Sequence, residues 1–308
     1  MPAYLGVDTS NYTTSLALYD DGNVRQVKRL LPVKPGERGL RQSDAVFHHT
    51  KAYPELLREL LGDGAPAIAA VGASVSPTTE PGSYMPCFLV GSGFASSLAA
   101  VLGVPFHGYS HQQGHIAAAL YSAGKTDLLG SRFLAFHVSG GTTELLLCEP
   151  DETSPLCVTC VARSDDLKAG QAVDRFGVRL GLPFPAGKGV EELAARSTRE
   201  FRHHVRLYDG NCSLSGLENR CNAMLDKGES PEDTARFLLT YIADAVGAMA
   251  ANARQTYGDL PLVFAGGVMS DLIIRERLLA RFGEAYFAAP EFSCDNAAGI
   301  AFLTAKGL

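Results

Sequence analysis

The sequence predicts an α/β protein made of two lobes with the same topology. Three observations carry this. Strand patterns alternate with helical ones along most of the chain, as in sheets covered by helices. A strand–polar turn–strand unit occurs twice: subtracting 129 maps Ser139 onto Ser10, Thr142-Thr143 onto Thr13-Thr14, Leu145 and Leu147 onto Leu16 and Leu18, and Glu149 onto Asp20. The 308 residues, 46% apolar and 19% charged, are enough for one large globular domain or two ordinary ones.

In order, residues 4–8 read as a buried strand that runs into the polar Asp8-Thr9-Ser10-Asn11 turn. Residues 13–19 are its hairpin partner, and Asp20 to Asn23 turn the chain into a third strand over 24–31. Residues 39–61 carry helical periodicity through Val46, Tyr53, Leu56, Leu57, Leu60 and Leu61. A strand over 67–76, a small-residue helix over 88–102 and a strand from Val104 to Tyr109 lead into a helix that begins near His111. Ser122 to Asp127 is the natural boundary, giving lobes 1–127 and 128–308.

The second lobe opens with strands at 133–138 and 143–149. A helix over 166–180 contains Asp174 and closes at Gly181; a turn-rich loop, Leu182 to Gly189, precedes a short helix over 190–195. Residues 212–217 are a polar loop into another helix. Ser230 is a plausible N-cap, with Pro231 at the first helical position, for the longest helix, which runs to Tyr257. A strand over 261–265 ends in Gly266-Gly267, followed by a helix over 272–282, a strand over 286–288 and a last helix over 297–305.

Bulk properties narrow the function. A net charge of −6 argues against broad, nonspecific nucleic-acid binding, which uses basic surface. The start has no basic region or apolar core of a signal peptide, and the apolar stretch 88–106 is broken by Gly, Ser and Pro, so no membrane segment is predicted. Seven scattered cysteines suit free thiols in a reducing compartment, and a cytoplasmic location is expected. Cys157 and Cys160 form one CxxC without a second pair, which reads as structural.

The chemistry concentrates in Ser110-His111-Gln112-Gln113-Gly114-His115. Histidines at i and i+4 share a helix face and can grip one metal ion. A third ligand must come from elsewhere, and the best candidate stretch is Ser293 to Gly299. Two histidines and a carboxylate leave coordination positions open for a substrate. A zincin peptidase needs a glutamate after the first histidine as general base; Gln112 occupies that position and cannot take a proton. The Ser139 turn and the Gly266-Gly267 pair after a strand bring backbone amides where a phosphate could dock. The adjacent pairs His48-His49 and His203-His204 read as solvated or packing residues.

These motifs together resemble the family of universal tRNA threonylcarbamoyl-adenosine synthases, formerly known as O-sialoglycoprotein endopeptidases. The resemblance runs from Gly6 to Ala305 through GVDTS at 6–10, FLVGSGFASSLAAVLGVPF at 88–106, HQQGH at 111–115, VSGGTTELLL at 138–147, AVDRFGVRLGLPFP at 172–185, CSLSGL at 212–217, AGGV at 265–268 and CDNAAGIA at 294–301. It implies the duplicated, two-lobed fold of actin, sugar kinases and Hsp70, ribonuclease H-like in each lobe, with a central cleft and the last helix packed back on the first lobe. It implies one divalent metal, iron or zinc, on His111, His115 and Asp295. It implies an adenine nucleotide (ATP, AMP or threonylcarbamoyl-AMP) bound by Val138, Ser139, Gly140, Gly141, Asp174, Gly187, Gly266 and Gly267, with Asp8, Ser10 and Asp271 added as substrate- or nucleotide-binding positions. The implied reaction transfers threonylcarbamoyl to N6 of adenosine 37 in tRNA, with partner proteins, among them a homologous scaffold paralogue and a small ATPase.

The chain departs from the family at several positions. The acidic first turn is replaced by Asp8 to Thr14, the histidine of SGGH by Thr142, a basic helix residue by Ser96, and an asparagine by Asp271; the Gly-Pro-Gly loop reads Glu80-Pro81-Gly82. A related carbamoyl transfer to another acceptor is therefore the main alternative. A noncatalytic paralogue that binds nucleotide and partners is a third reading, against which the two histidines speak.

Overall fold

The computed structural model describes residues 2–10, 12–32, 40–62, 64–152 and 154–307. Asn11 of the first turn, and Gly39 at the expected start of the first helix, lie outside the described residues. The chain divides into two compact units: Met1–Gly130 with Glu149–Val158 and Cys294–Leu308, and Ser131–Cys148 with Thr159–Ser293. Among the described residues no helix is long and apolar enough to cross a membrane.

The first unit is built on β1 (Ala3–Ser10), β2 (Thr13–Asp20) and β3 (Asn23–Leu30), followed by α1 (Gln42–Leu61), β4 (Ile68–Ser76), α2 (Phe88–Leu102), β5 (Phe106–Ser110) and α3 (His111–Ser122). The second unit has β6 (Phe133–Val138), β7 (Thr143–Glu149), β8 (Cys157–Arg163), α4 (Ala169–Arg179), α5 (Gly187–Ala194), α6 (Ser215–Asp226), α7 (Pro231–Tyr257), β9 (Leu262–Ala265), α8 (Leu272–Phe282) and β10 (Tyr286–Phe287). The last helix, α9 (Ala298–Lys306), belongs to the first unit.

The two sheets have one topology. The first runs β3-β2-β1-β4-β5 and the second, from the other edge, β8-β7-β6-β9-β10. The 129-residue offset even preserves register: Thr9 faces Thr14 and Asp8 faces Ser15 in the first hairpin, while Val138 faces Thr143 and His137 faces Glu144 in the second. Repeated sequence thus gives a repeated ladder, because alternate residues must keep their face to the core.

Strand β8 is absent from the sequence-based assignment, although the repeat calls for a partner to β3 at that place. Its sequence, Cys-Val-Thr-Cys-Val-Ala-Arg, alternates too loosely to stand out; its burial is mixed along its length. Two boundaries also differ. α4 starts at Ala169, not 166, because the Asp166 carboxylate turns back to accept from Leu167 N at 2.6 Å and from Ser213 Oγ at 2.5 Å. α5 starts at Gly187, so the expected loop is three residues shorter.

Each unit has its own apolar core. In the first, Leu5, Val7, Leu16 and Leu18 of the hairpin meet Leu56 of α1 and Ala95 of α2. In the second, Leu134, Phe136 and Leu145 meet Phe176 of α4 and Ile242 and Val246 of α7. Ser230 caps α7 by accepting from Asp233 N at 3.1 Å, with Pro231 at the first position, as the sequence indicates.

Candidate metal centre

Helix α3 starts on a capping box. Ser110 Oγ accepts from Gln113 N at 3.1 Å, and Gln113 Oε1 accepts from Ser110 N at 2.7 Å. This sets the first turn, and with it His111, at the end of β5. The signal for it, Ser-x-x-Gln at 110–113, is present in the sequence. Gln113 Nε2 also donates to Leu156 O at 2.5 Å, which ties the turn to the 149–158 segment.

His111 and His115 stand one turn apart, their Nε2 atoms 3.0 Å from each other. Asp295 Oδ1 lies 3.6 Å from each Nε2. The three residues form the cluster of ligand-type atoms within 4.8 Å of one another. Donors about 2.0–2.1 Å from one tetrahedral centre are about 3.3–3.4 Å apart, so edges of 3.0, 3.6 and 3.6 Å fit a divalent ion. Side-chain exposure falls from 28% at Asp295 to 17% at His111 and 5% at His115, so the accessible side of the cluster is that of Asp295.

Asp8 stands behind His111. The sequence reading put it with substrate or nucleotide; the structure buries it completely, with Oδ1 2.9 Å from His111 Nδ1. Ser74 Oγ donates to Oδ1 and Ser10 Oγ to Oδ2, the latter at 2.6 Å. Ser10, likewise read as substrate-binding, gives its hydroxyl hydrogen to Asp8. A carboxylate on the far nitrogen of a ligand histidine fixes its tautomer and strengthens its basicity.

The electrostatics are those of a site prepared for a cation. Burial alone would disfavour charge on His111, but Asp8 and Asp295 outweigh it and raise its pKa to about 10. Burial and the charge of His111 push His115 down. Burial works against the charge of Asp295, yet its contacts with both histidines hold it well below the usual carboxylate range. Two carboxylates with two neutral imidazoles would balance one divalent ion.

The residue that brings Asp295 here is a glycine. A Cβ on Gly299 would lie 1.9 Å from Gly114 O and 2.7 Å from Ala118 N, so α9 can cross α3 this closely only without a side chain. Gly6 plays the same part against α9, where a Cβ would meet Ala301 N at 2.4 Å. The loop is set by Asn296, whose Oδ1 accepts from Ala298 N at 3.1 Å, and by Ser15 Oγ, which accepts from Ala297 N at 2.9 Å.

The remaining predicted positions lie in the second unit. Val138 ends β6, and the turn after it is held by Ser139 Oγ, which accepts from Gly141 N and Thr142 N, both at 3.2 Å. Gly140 and Gly141 have open space where a Cβ would stand. Behind them Gly170 of α4 presses on the turn; its Cβ would be 2.6 Å from Gly140 N. Gly266 follows β9, the parallel neighbour of β6, at φ 95°, and a Cβ there would strike Val138 O at 2.3 Å. Gly267 is open. These glycines thus gather at the carboxyl ends of two adjacent strands, a placement suited to an anionic ligand.

Asp174 is half-buried on α4 and accepts from Ala186 N at 2.8 Å, next to Gly187. Burial raises its pKa. Asp271 is the N-cap of α8, accepting from Ile274 N at 2.9 Å. It is 8% exposed, and burial, with Glu191 nearby, raises its pKa to about 7. This carboxyl is thus about half ionised at neutral pH.

The chain is similar to proteins of one family and to solved structures of one fold. A family model described as tRNA N6-adenosine threonylcarbamoyltransferase matches residues 34–302. A tRNA N6-adenosine threonylcarbamoyltransferase of Thiobacillus denitrificans is 30% identical over 318 aligned positions, covering 99% of this chain and 90% of that protein. One of Pyrobaculum calidifontis is 29% identical, covering 96% and 85%. Among solved structures, T. kodakarensis HypF superposes with a TM-score of 0.66 at 13% identity, over 99% of this chain and 48% of that one. Component A of Acidaminococcus fermentans (R)-2-hydroxyglutaryl-CoA dehydratase reaches 0.57 at 16% identity, over 100% and 99%. The ROK hexokinase of Thermus thermophilus reaches 0.50 at 15%, over 98% and 97%. These structures share the fold, and the hexokinase bears out the sugar-kinase-like duplication expected from the sequence.

Proposed function

We propose a reaction for this chain from one premise: it belongs to the tRNA N6-adenosine threonylcarbamoyltransferase family. The chain is accordingly a transferase. The reaction is transfer of threonylcarbamoyl from threonylcarbamoyl-adenylate to the N6 amine of an adenosine in tRNA. The amine forms a bond to the carbamoyl carbon, the C–O bond of the mixed anhydride breaks, AMP leaves with the electron pair, and the amine gives up a proton.

The observation that supports this reading is the convergence of His111, His115 and Asp295, with Asp8 behind His111. When bound there, iron or zinc supplies Lewis-acid polarisation of a carbonyl-type oxygen. His111, once metal displaces its proton, and His115 would offer neutral nitrogens, and Asp295 a carboxylate on the accessible side of the cluster. Asp8 holds the ring of His111 in place. The Ser139–Thr142 turn with Gly266 and Gly267 suits the phosphate of the adenylate, and Asp174, beside Gly187, has one oxygen left for ribose hydroxyls. Seven free thiols suit the reducing cytoplasm. An acidic chain is expected to engage tRNA together with partners, a homologous scaffold and a small ATPase.

A second reading, carbamoyl transfer to another acceptor, is supported by Thr142, whose hydroxyl bonds to Ser139 Oγ at 2.9 Å in place of the family's histidine. One experiment separates the two. Purified chain, metal and threonylcarbamoyl-adenylate are incubated with tRNA and, separately, with nucleosides and amines, and the products are read by mass spectrometry. Modified adenosine in tRNA, missing from cells that lack the chain, supports the first reading. Carbamoylated small acceptors with untouched tRNA would overturn it for the second.

A further inference from the structure

A segment of the second unit has an ordered surface that the reaction above does not use. Residues 201–208, Phe-Arg-His-His-Val-Arg-Leu-Tyr, form neither helix nor named strand, yet their exposure alternates residue by residue. Phe201, Val205 and Leu207 pack on the core, and His203 sits against Phe237 and Tyr241 with Nε2 2.9 Å from Thr240 Oγ1. Arg202, His204, Arg206 and Tyr208 face solvent. This is the alternation of an extended chain, in which side chains on one edge follow each other at about 6.6 Å. That step is close to the distance between neighbouring phosphates along a nucleic-acid strand.

The row is held from behind and at its end. Arg236 Nε donates to Arg199 O at 3.1 Å, and Arg277 Nη2 to Phe201 O at 2.9 Å. Tyr208 and Asn211 exchange both backbone hydrogen bonds at 2.9 Å around Asp209 and Gly210, whose φ values of 50° and 85° are those of a tight hairpin turn. Tyr208 is thereby fixed while 63% exposed.

Charge singles the row out. Residues 196–208 hold four arginines and one glutamate, a net +3; the other 295 residues hold 23 Lys+Arg and 32 Asp+Glu, a net −9. Arg199 is paired with Glu229 and Asp233, but Arg202 and Arg206 have no acidic partner within ion-pair distance among the described residues.

We propose that Arg202, His204, Arg206 and Tyr208 form a docking strip for a single-stranded stretch of RNA, with the two arginines on alternate phosphates, His204 facing the phosphate between them and Tyr208 stacked on a base. This rests on the reading that the acceptor is tRNA, though it concerns other residues. A strip of cations on an otherwise acidic chain selects an anionic strand over a neutral peptide.

The test is binding of labelled tRNA and labelled oligo(U) to the full chain over about 50–300 mM salt. The variants are Arg202→Ala with Arg206→Ala, Tyr208→Ala, and Arg25→Ala as an exposed control on the first unit. The double variant is expected to weaken both RNAs about tenfold or more at low salt and to flatten the slope of log K against log salt by about two. Tyr208→Ala is expected to weaken binding about tenfold with an unchanged slope. Arg25→Ala is expected to change nothing. Native affinity in the double variant, equal preference for duplex DNA, or competition by an uncharged extended peptide would overturn the strip. A native chain that modifies tRNA while all variants bind normally sinks the strip and leaves the reaction standing; binding through the strip without tRNA modification does the reverse.

Discussion

Asp8 and His111, 103 residues apart, are joined by a hydrogen bond of 2.9 Å between Oδ1 and Nδ1, with Asp8 wholly buried. One strand and one helix of the first unit thus cooperate in a single imidazole. Asp8→Ala is expected to lower metal affinity about 10- to 100-fold, and Asp8→Asn, which still accepts a hydrogen bond, less. Metal titration of the purified variants measures it. Equal affinity in all three proteins would remove Asp8 from the site.

Replacing His111 by Ala, or stripping metal with a chelator, is expected to cut transfer by about a hundredfold or more, since a Lewis acid contributes several kcal/mol. Secondary structure by circular dichroism should persist, because His111 is the first residue of α3 and the Ser110–Gln113 capping box stays in place. Full activity in metal-free protein would refute the assignment.

Gly299→Ala places a methyl 1.9 Å from Gly114 O, a backbone atom that cannot swing away. A cost of about 1–3 kcal/mol or more is expected, together with loss of bound metal as Asp295 moves. Gly141→Ala, with open space around it, should leave Tm unchanged yet weaken adenine-nucleotide binding roughly tenfold, about 1.4 kcal/mol. Thermal melts and nucleotide titrations of the two variants should therefore give opposite patterns.

Asp271 has a folded-state pKa of about 7 against an ordinary value of 3.8. A carboxyl raised on folding adds stability that is complete below pH 4 and lost as pH rises to about 7, on the order of 4 kcal/mol. Asp271→Asn keeps the cap on α8 without the proton. Denaturant melts should find it similar to the native chain at pH 4 and more stable at pH 8; parallel pH profiles would contradict the shift.

Much of this was legible in sequence because its causes are local. The double strand–turn–strand unit, the Ser230-Pro231 start of α7 and the i, i+4 histidines are short-range patterns with fixed periods. Strand β8 was missed because its burial is mixed, so no clean alternation marks it. The contacts of Asp8 were not legible in the sequence because its neighbours, Ser74 and His111, come from other strands and helices.

By itself the sequence determined the repeated strand–turn–strand architecture and the i, i+4 histidine pair, since such patterns act through neighbours along the chain; the family, and Asp295 as third ligand, followed from the resemblance of whole motifs. Only the tertiary structure decided that Asp295, 184 residues beyond His111, meets both imidazoles, that Asp8 is buried against His111, and that Arg202, His204 and Arg206 share one exposed edge. These depend on strand order and on one close helix crossing at Gly114 and Gly299, and contacts between distant segments leave no period in the sequence to be read.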